Sequence, residues 1–120
     1  MLGWLKKLFE DPALPEPVPP PATAEEALAR WRKASRPAEQ VTALEGLAAV
    51  GGSEGWLILQ SVLKTGASPH TRIAAARLLG ESGQKGNAFL LGEAAKSDAE
   101  PLVRTACENA LANLRKSAGG

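Results

Sequence analysis

Apolar residues recur along most of the chain with the spacing of one face of an α-helix. The stripe is clearest near the carboxyl terminus, where the i, i+3, i+4, i+7, i+8 pattern runs through Val103, Ala106, Cys107, Ala110, Leu111 and Leu114. β-Branched residues are sparse, and apolar and polar residues do not alternate with a period of two. The pattern therefore predicts an all-α fold with about six helices between Thr23 and Lys116.

The helical stretches repeat every 32 residues without a gap. Two sets of residues mark the register: Pro37, Pro69 and Pro101, and then Leu47, Leu79 and Leu111. A period of this size predicts a short right-handed α-solenoid, in which antiparallel helix pairs stack on one another. Each unit is expected to have a first helix that begins at its proline and a second helix. The second helices are predicted over about residues 53–65 and 85–97.

Short polar residues and glycines mark the predicted ends of the helices. Ser35, Ser68 and either Asp98 or Glu100 are the candidates for capping helix N-termini. Gly51-Gly52 and Gly83 follow first helices, where a left-handed φ is expected.

Two units share a motif of proline, arginine three residues later, a run of small residues, and Leu-Gly or Leu-Ala. It reads Pro69, Arg72, Ala74-Ala75-Ala76 and Leu79-Gly80, and again Pro101, Arg104, Ala106-Cys107 and Leu111-Ala112. From about Pro37 to Leu114, the chain resembles HEAT-like repeats, in particular the short bacterial type first associated with phycobilisome lyases. The first unit departs from the motif at Gln40 and Gly46. The resemblance implies that the arginine ties adjacent units together, with Asp98 as an acidic partner.

Composition excludes several classes of function. The net charge is +1, and 14 basic and 13 acidic residues are mixed along the chain, so nucleic acid is not an expected partner. The only histidine is His70 and the only cysteine is Cys107, which predicts no metal site and no disulfide. Cys107 lies on the apolar stripe and is predicted to be a buried small hydrophobe. No catalytic constellation or phosphate-binding glycine loop is present, so no enzyme activity and no cofactor are expected.

The segment before the repeats has a different pattern. Residues 1–11 place apolar and polar side chains on opposite sides of a predicted amphipathic helix. The residues expected to dock on a membrane or on a partner are Leu2, Trp4, Leu5, Lys6, Lys7, Leu8 and Phe9. Residues 12–22 hold six of the nine prolines and are predicted to form an extended tether. Residues 117–120 are predicted to be a flexible tail.

Three interpretations of the amphipathic helix stay open. It can bind the surface of an anionic membrane, dock into a groove of a partner protein, or fold back on the repeats as a cap. It is too short to span a bilayer, which takes about 20 apolar residues. The expected location is therefore cytoplasmic, either free or peripheral at a membrane.

The second helices are the candidate binding surface, because in HEAT-like stacks they line the concave side. Carried over by position, this predicts a partner-binding surface of Trp56, Gln60, Lys64, Glu93 and Lys96. Trp56 aligns with Ala88, so the repeat itself does not require an aromatic residue there. Trp31 is predicted to pack in the core.

The leading hypothesis is a non-enzymatic interaction scaffold or adaptor subunit. Its repeats would bind a protein, and its N-terminal helix would tether it to a membrane or to a larger complex. The alternatives are a lyase-type protein, which rests on the resemblance alone, and a nucleic-acid-binding protein that uses the basic cluster between Arg30 and Arg36.

Overall fold

Six helices and no strand make up residues 19–119, which are the residues that the computed structural model describes, with side chains described up to Lys116. The helices are α1 (Ala24–Lys33), α2 (Pro37–Val50), α3 (Gly52–Thr65), α4 (Pro69–Glu81), α5 (Asn87–Ser97) and α6 (Pro101–Gly119). The prediction of an all-α solenoid is confirmed. The predicted helix over residues 1–11 and most of the predicted tether lie outside the described residues.

Hydroxyl side chains cap two of the helices, one of them at the predicted Ser68 and the other at Thr23, which was not predicted. The Thr23 hydroxyl accepts a hydrogen bond from the Glu26 N–H at the start of α1, and the Ser68 hydroxyl accepts one from the Thr71 N–H at the start of α4. The prediction for Ser35 is wrong, because the residue before α2 is Arg36. Its N–H donates to the Glu39 carboxylate at 3.3 Å.

Two glycines reverse the chain after first helices. Gly52 has φ 62° and Gly83 has φ 71°, which is the left-handed conformation that their positions predicted. Gly51 does not share it, since its φ is −75°. The chain therefore turns from α2 into α3 at a single left-handed residue.

The first helices form the tightly packed side of the stack. Helix α4 packs along α6 and also against α2, whereas α3 and α5 touch over only a short stretch. A methyl group added at Gly80 of α4 would lie 2.6 Å from the Cβ of Ala110 on α6, so the two backbones approach as closely as glycine allows. The second helices are left further apart, with a groove between them.

One continuous apolar core runs along the stack between the two rows of helices. Its largest fully buried side chains are leucines from four successive helices: Leu44, Leu47, Leu59, Leu63, Leu79 and Leu91. Cys107 is fully buried, as the stripe predicted, and Trp31 packs against the core from a half-buried position. The period of 32 residues thus builds one core from stacked layers.

The end of the predicted tether lies on the repeats. The carbonyl oxygen of Pro19 accepts a hydrogen bond from Arg30 Nη1 at 2.6 Å, and the Ala22 N–H donates to the Glu26 carboxylate at 2.8 Å. The ring of Pro21 packs against Gly46 of α2, where an added methyl group would lie 2.8 Å from its Cγ. Gly46, which departs from the repeat motif, therefore makes room for the incoming chain.

Candidate interaction surface

Arg72, Arg104 and Asp98 connect two adjacent repeat units at the edge of the surface that the second helices form. We call these contacts the charged joint. Arg72 of α4 donates from Nε and Nη2 to the two carboxylate oxygens of Asp98, at 2.9 and 3.2 Å. Its Nη1 donates to the Gly66 carbonyl at 2.7 Å, and Arg104 Nη1 makes the equivalent bond to the Asp98 carbonyl at 2.6 Å. The carboxylate of Asp98 thus pairs with the arginine of the preceding unit, as the resemblance implied for the role of this arginine.

The environment of Asp98 favours its charged form. Burial alone would raise the pKa of this carboxyl group. The hydrogen bonds from Arg72, the Glu100 N–H and the charge of Arg104 outweigh burial and hold the pKa below its ordinary value of 3.8. Both side chains of the pair are largely buried, at 15% exposed for Arg72 and 8% for Asp98. The joint is therefore a fixed structural element rather than a solvated ion pair.

A groove of about 640 Å³ separates α3 from α5 beside this joint. We call it the second-helix groove; its lining residues are Leu63, Lys64, Arg72, Phe89, Leu90, Glu93, Ala94, Ser97, Asp98 and Ala99. Lys64 and Glu93, two of the predicted surface residues, are both exposed and lie on opposite walls of this groove. The floor is apolar and the rim carries both signs of charge.

Two large apolar side chains project into solvent from the second helices. Leu57 on α3 is 63% exposed and Phe89 on α5 is 73% exposed. They occupy the same register of the 32-residue repeat, so the stack places them on neighbouring helices at the same level. Neither side chain therefore fills a layer between the helices.

The other predicted surface residues lie elsewhere. Gln60 is half-buried and its Nε2 donates to Asn87 Oδ1 at 3.0 Å, so its amide is held inside the fold. Trp56 is half-buried against the core and is not among the residues that line the groove. Lys96 is exposed at a different groove, at the end of the stack between α5 and α6.

A buried polar network joins α3 to α5, and sequence reasoning missed it. Asn87 is 1% exposed. It accepts from Gln60 and donates from Nδ2 to the Ser82 hydroxyl at 3.1 Å; this hydroxyl in turn donates to the Leu79 carbonyl. Within the described residues, every buried side-chain nitrogen or oxygen has a hydrogen-bond partner. The network fixes the spacing of the two helices that form the groove.

The residues that could carry chemistry are few and scattered. Among residues 19–119, no three His, Cys, Asp or Glu side chains come together as a metal site would require. Burial raises the pKa of the Cys107 thiol to about 11, helped by the negative charges of Asp98 and Glu108. His70 is exposed at the start of α4.

In the part of the chain described, no helix has the length and apolar content needed to cross a bilayer.

Comparison with known families agrees with this architecture. The family of HEAT repeats matches residues 24–112, which is most of the chain and covers α1 to α5 and much of α6. The protein therefore belongs to the HEAT repeat family. No curated protein and no solved structure matches the chain. The resemblance to the phycobilisome-lyase type stays a prediction, because the match is to HEAT repeats as a class.

Proposed function

We propose that this protein is a non-enzymatic interaction scaffold, or adaptor subunit, which binds a helical segment of a partner protein along the second-helix groove. HEAT repeats are commonly surfaces for protein interaction, and this supports the class of function. The partner's apolar side would lie on Phe89, which lines the groove, and extend to Leu57, which has the same register on α3; its polar side would meet Lys64 and Glu93.

The observation that carries the proposal is the exposure of Phe89 and Leu57. Exposed side chains of this size are costly to leave in water, since burying one contributes about 1.5–3 kcal/mol. The repeat places an apolar residue in the same register on both second helices, and neither is needed for the core. Apolar groups at the centre with charged groups at the rim are the usual anatomy of a protein interface.

The groove is preformed, which favours binding. The Asn87 network and the Arg72–Asp98 pair fix the helices on either side of it before any partner arrives. Binding would therefore require little ordering of the groove, and most of the free energy gained by burying Phe89 would contribute to affinity.

The test compares single substitutions in affinity capture from native lysate. Phe89→Ser and Leu57→Ser should each lose a partner that the unmodified chain retains. Leu102→Ser is the matched control, because Leu102 is 71% exposed but lies on the first helix α6 and not on the second helices that carry Leu57 and Phe89. With the purified partner, Phe89→Ser should weaken the Kd by about 30-fold or more, which corresponds to the cost of about 2 kcal/mol that defines a hot-spot residue. A partner that is lost equally with Leu102→Ser would contradict the assignment of the surface.

The attachment of this scaffold to a membrane or to a larger complex through residues 1–11 belongs to the same hypothesis and stays a prediction. No contact of the described residues supports a lipid partner. A groove between α1 and α2, at the start of the stack, is instead a site on the same chain where this segment can bind.

A further inference from the structure

Helix α1 is the second helix of a unit whose first helix is not among the described residues. One period after α1, the same register gives residues 56–65, which lie within α3. Helices α3 and α5 each follow a first helix, α2 and α4, that packs against the next first helix in the row. Among residues 19–119, no helix covers the corresponding face of α2.

The register identifies that face. Ala110 of α6 faces Gly80 of the preceding first helix, α4. Gly46 of α2 has the same position in the repeat as Ala110, two periods earlier. Gly46 therefore marks the place where a preceding first helix would pack against α2.

A groove of about 750 Å³ lies at this place, between α1 and α2. We call it the N-terminal groove. Small residues line it on both sides: Ala27 of α1, Ala34 just after α1, and Ala43 and Ala49 of α2, with Arg30, Lys33, Glu39 and Glu45 as its charged lining residues. Ala43 has the same register as Ala75 and Cys107, both fully buried by the preceding first helix and the core in their own units. Ala43 and Ala27 are themselves buried, at 6% and 1% exposed, whereas Ala49 is exposed, so the groove leaves open the outer part of this layer and not its core.

The chain itself enters this groove. Pro20 and Pro21 line it, Pro21 packs on Gly46, and Arg30 fixes the Pro19 carbonyl. Pro19, the first described residue, is therefore held next to the groove. Residues 12–18 span about 22 Å if extended as polyproline, and α2, with its 14 residues, is about 21 Å long. This reach lets residues 1–11 turn back along the groove.

We propose that residues 2–9 of the same chain dock in the N-terminal groove and cap the first layer of the stack. Their apolar side chains, led by Trp4 and Phe9, take the place that a preceding first helix would occupy against α2. The small residues on α1 and α2 leave room for these two aromatic side chains. Terminal units of repeat proteins need such covers, because an open layer exposes core residues to water. The segment is then a part of the fold rather than a free anchor.

The test is alanine-methyl NMR on the full chain. Trp4→Glu combined with Phe9→Glu should shift the methyl signals of Ala27, Ala34, Ala43 and Ala49, and leave that of Ala67, in the α3–α4 turn, unchanged. Ala49→Arg should block the groove and displace the segment. The Ala27 and Ala34 signals should then move in the same direction as in the chain with Trp4→Glu and Phe9→Glu. Ala29→Arg is the matched control, since Ala29 is exposed on α1 but does not line the groove.

Three results would overturn the proposal. Groove signals that do not respond to Trp4→Glu with Phe9→Glu would show that the segment is not docked. Signals that depend on protein concentration, with a dimer in sedimentation, would place the segment on a second copy. Binding of the full chain to phosphatidylcholine–phosphatidylglycerol vesicles that Lys6→Gln with Lys7→Gln abolishes, with the groove signals unresponsive, would assign it to lipid. Each result is independent of partner binding at Phe89.

Discussion

Arg72 and Asp98 form a two-hydrogen-bond ion pair that links the first helix of one repeat unit to the turn that begins the next. The distances are 2.9 and 3.2 Å, and Arg72 also donates to the Gly66 carbonyl. Because Asp98 accepts from the Glu100 N–H at the same time, the pair positions the start of α6 relative to α4. One ion pair thus controls the stacking of the last two layers.

We expect Arg72→Met to lower the free energy of unfolding by about 2–4 kcal/mol, because it leaves the largely buried Asp98 carboxylate without its partner. The matched control is Arg77→Met. Arg77 pairs with Glu45 and Glu81 at 3.4 Å, but all three side chains are about half exposed, so its loss should cost at most about 1 kcal/mol. Urea titrations followed by circular dichroism measure both, and equal losses would contradict a structural role for the Arg72 pair.

The same pair predicts a dependence of stability on acid. The pKa of Asp98 is lowered from 3.8 in the folded protein, so the folded state binds this proton more weakly than the unfolded state does. The stability that the carboxylate contributes is present above the unfolded pKa and is lost as the pH falls through the folded pKa. Asp98→Asn should therefore be less stable than the unmodified chain at neutral pH but lose less on acidification. Urea midpoints at about pH 7 and about pH 3 test this, and parallel losses for the two chains would refute it.

The 32-residue period predicted the architecture because residues that recur at this spacing occupy equivalent packing positions in successive units. A proline, an arginine and a small-residue run in the same register in successive units lead to helices that stack in register. The burial of Cys107 followed from its alignment with Ala75, and both are fully buried. The family resemblance suggested Asp98 as an acidic partner beside Arg104, but its carboxylate pairs with Arg72 of the preceding unit, and spacing alone does not pair residues in different units.

The candidate site was harder to predict because a repeat shows which residues are equivalent but not which way they face. Leu57-Ile58-Leu59 aligns with Phe89-Leu90-Leu91, and three consecutive apolar residues cannot all face the core of a helix pair. In each triplet the first residue is exposed and the last is buried. The contact of Gln60 with Asn87 was also hidden, because these two residues occupy different registers.

Cys107 should react slowly with alkylating reagents in the folded protein. A rise of its pKa from 9.0 to about 11 lowers the thiolate fraction at about pH 8 by about 100-fold, and full burial slows the reaction further. Mass spectrometry after iodoacetamide treatment, with and without 6 M urea or a similar denaturing concentration, measures the ratio of the two rates. A ratio near one would show that the last layer of the stack opens readily.

Gly80 should tolerate no larger residue, although it lies in the last turn of α4 with an ordinary negative φ. Glycine costs about 1 kcal/mol relative to alanine in a helix interior, so alanine would stabilise α4 if space allowed. An added methyl group at Gly80, however, would meet the Cβ and Cα of Ala110 at 2.6 and 2.7 Å, and Cα belongs to the backbone of α6. Gly80→Ala should therefore destabilise the fold by about 1–3 kcal/mol, as overpacked cores do.

Gly92 provides the matched control for Gly80, because it lies inside α5 and a methyl group added there meets nothing within 4 Å. Gly92→Ala should stabilise the protein by about 0.5–1 kcal/mol through helix propensity alone. Ala110→Gly should recover part of the loss in Gly80→Ala, since it removes the Cβ that the new methyl group meets, and the double-mutant cycle isolates this coupling. Thermal and urea unfolding of the unmodified chain and of the four variants give these values. If Gly80→Ala were as stabilising as Gly92→Ala, α4 and α6 would not be in close contact. That result would contradict the close packing of the first helices, which leaves the second helices further apart at the groove.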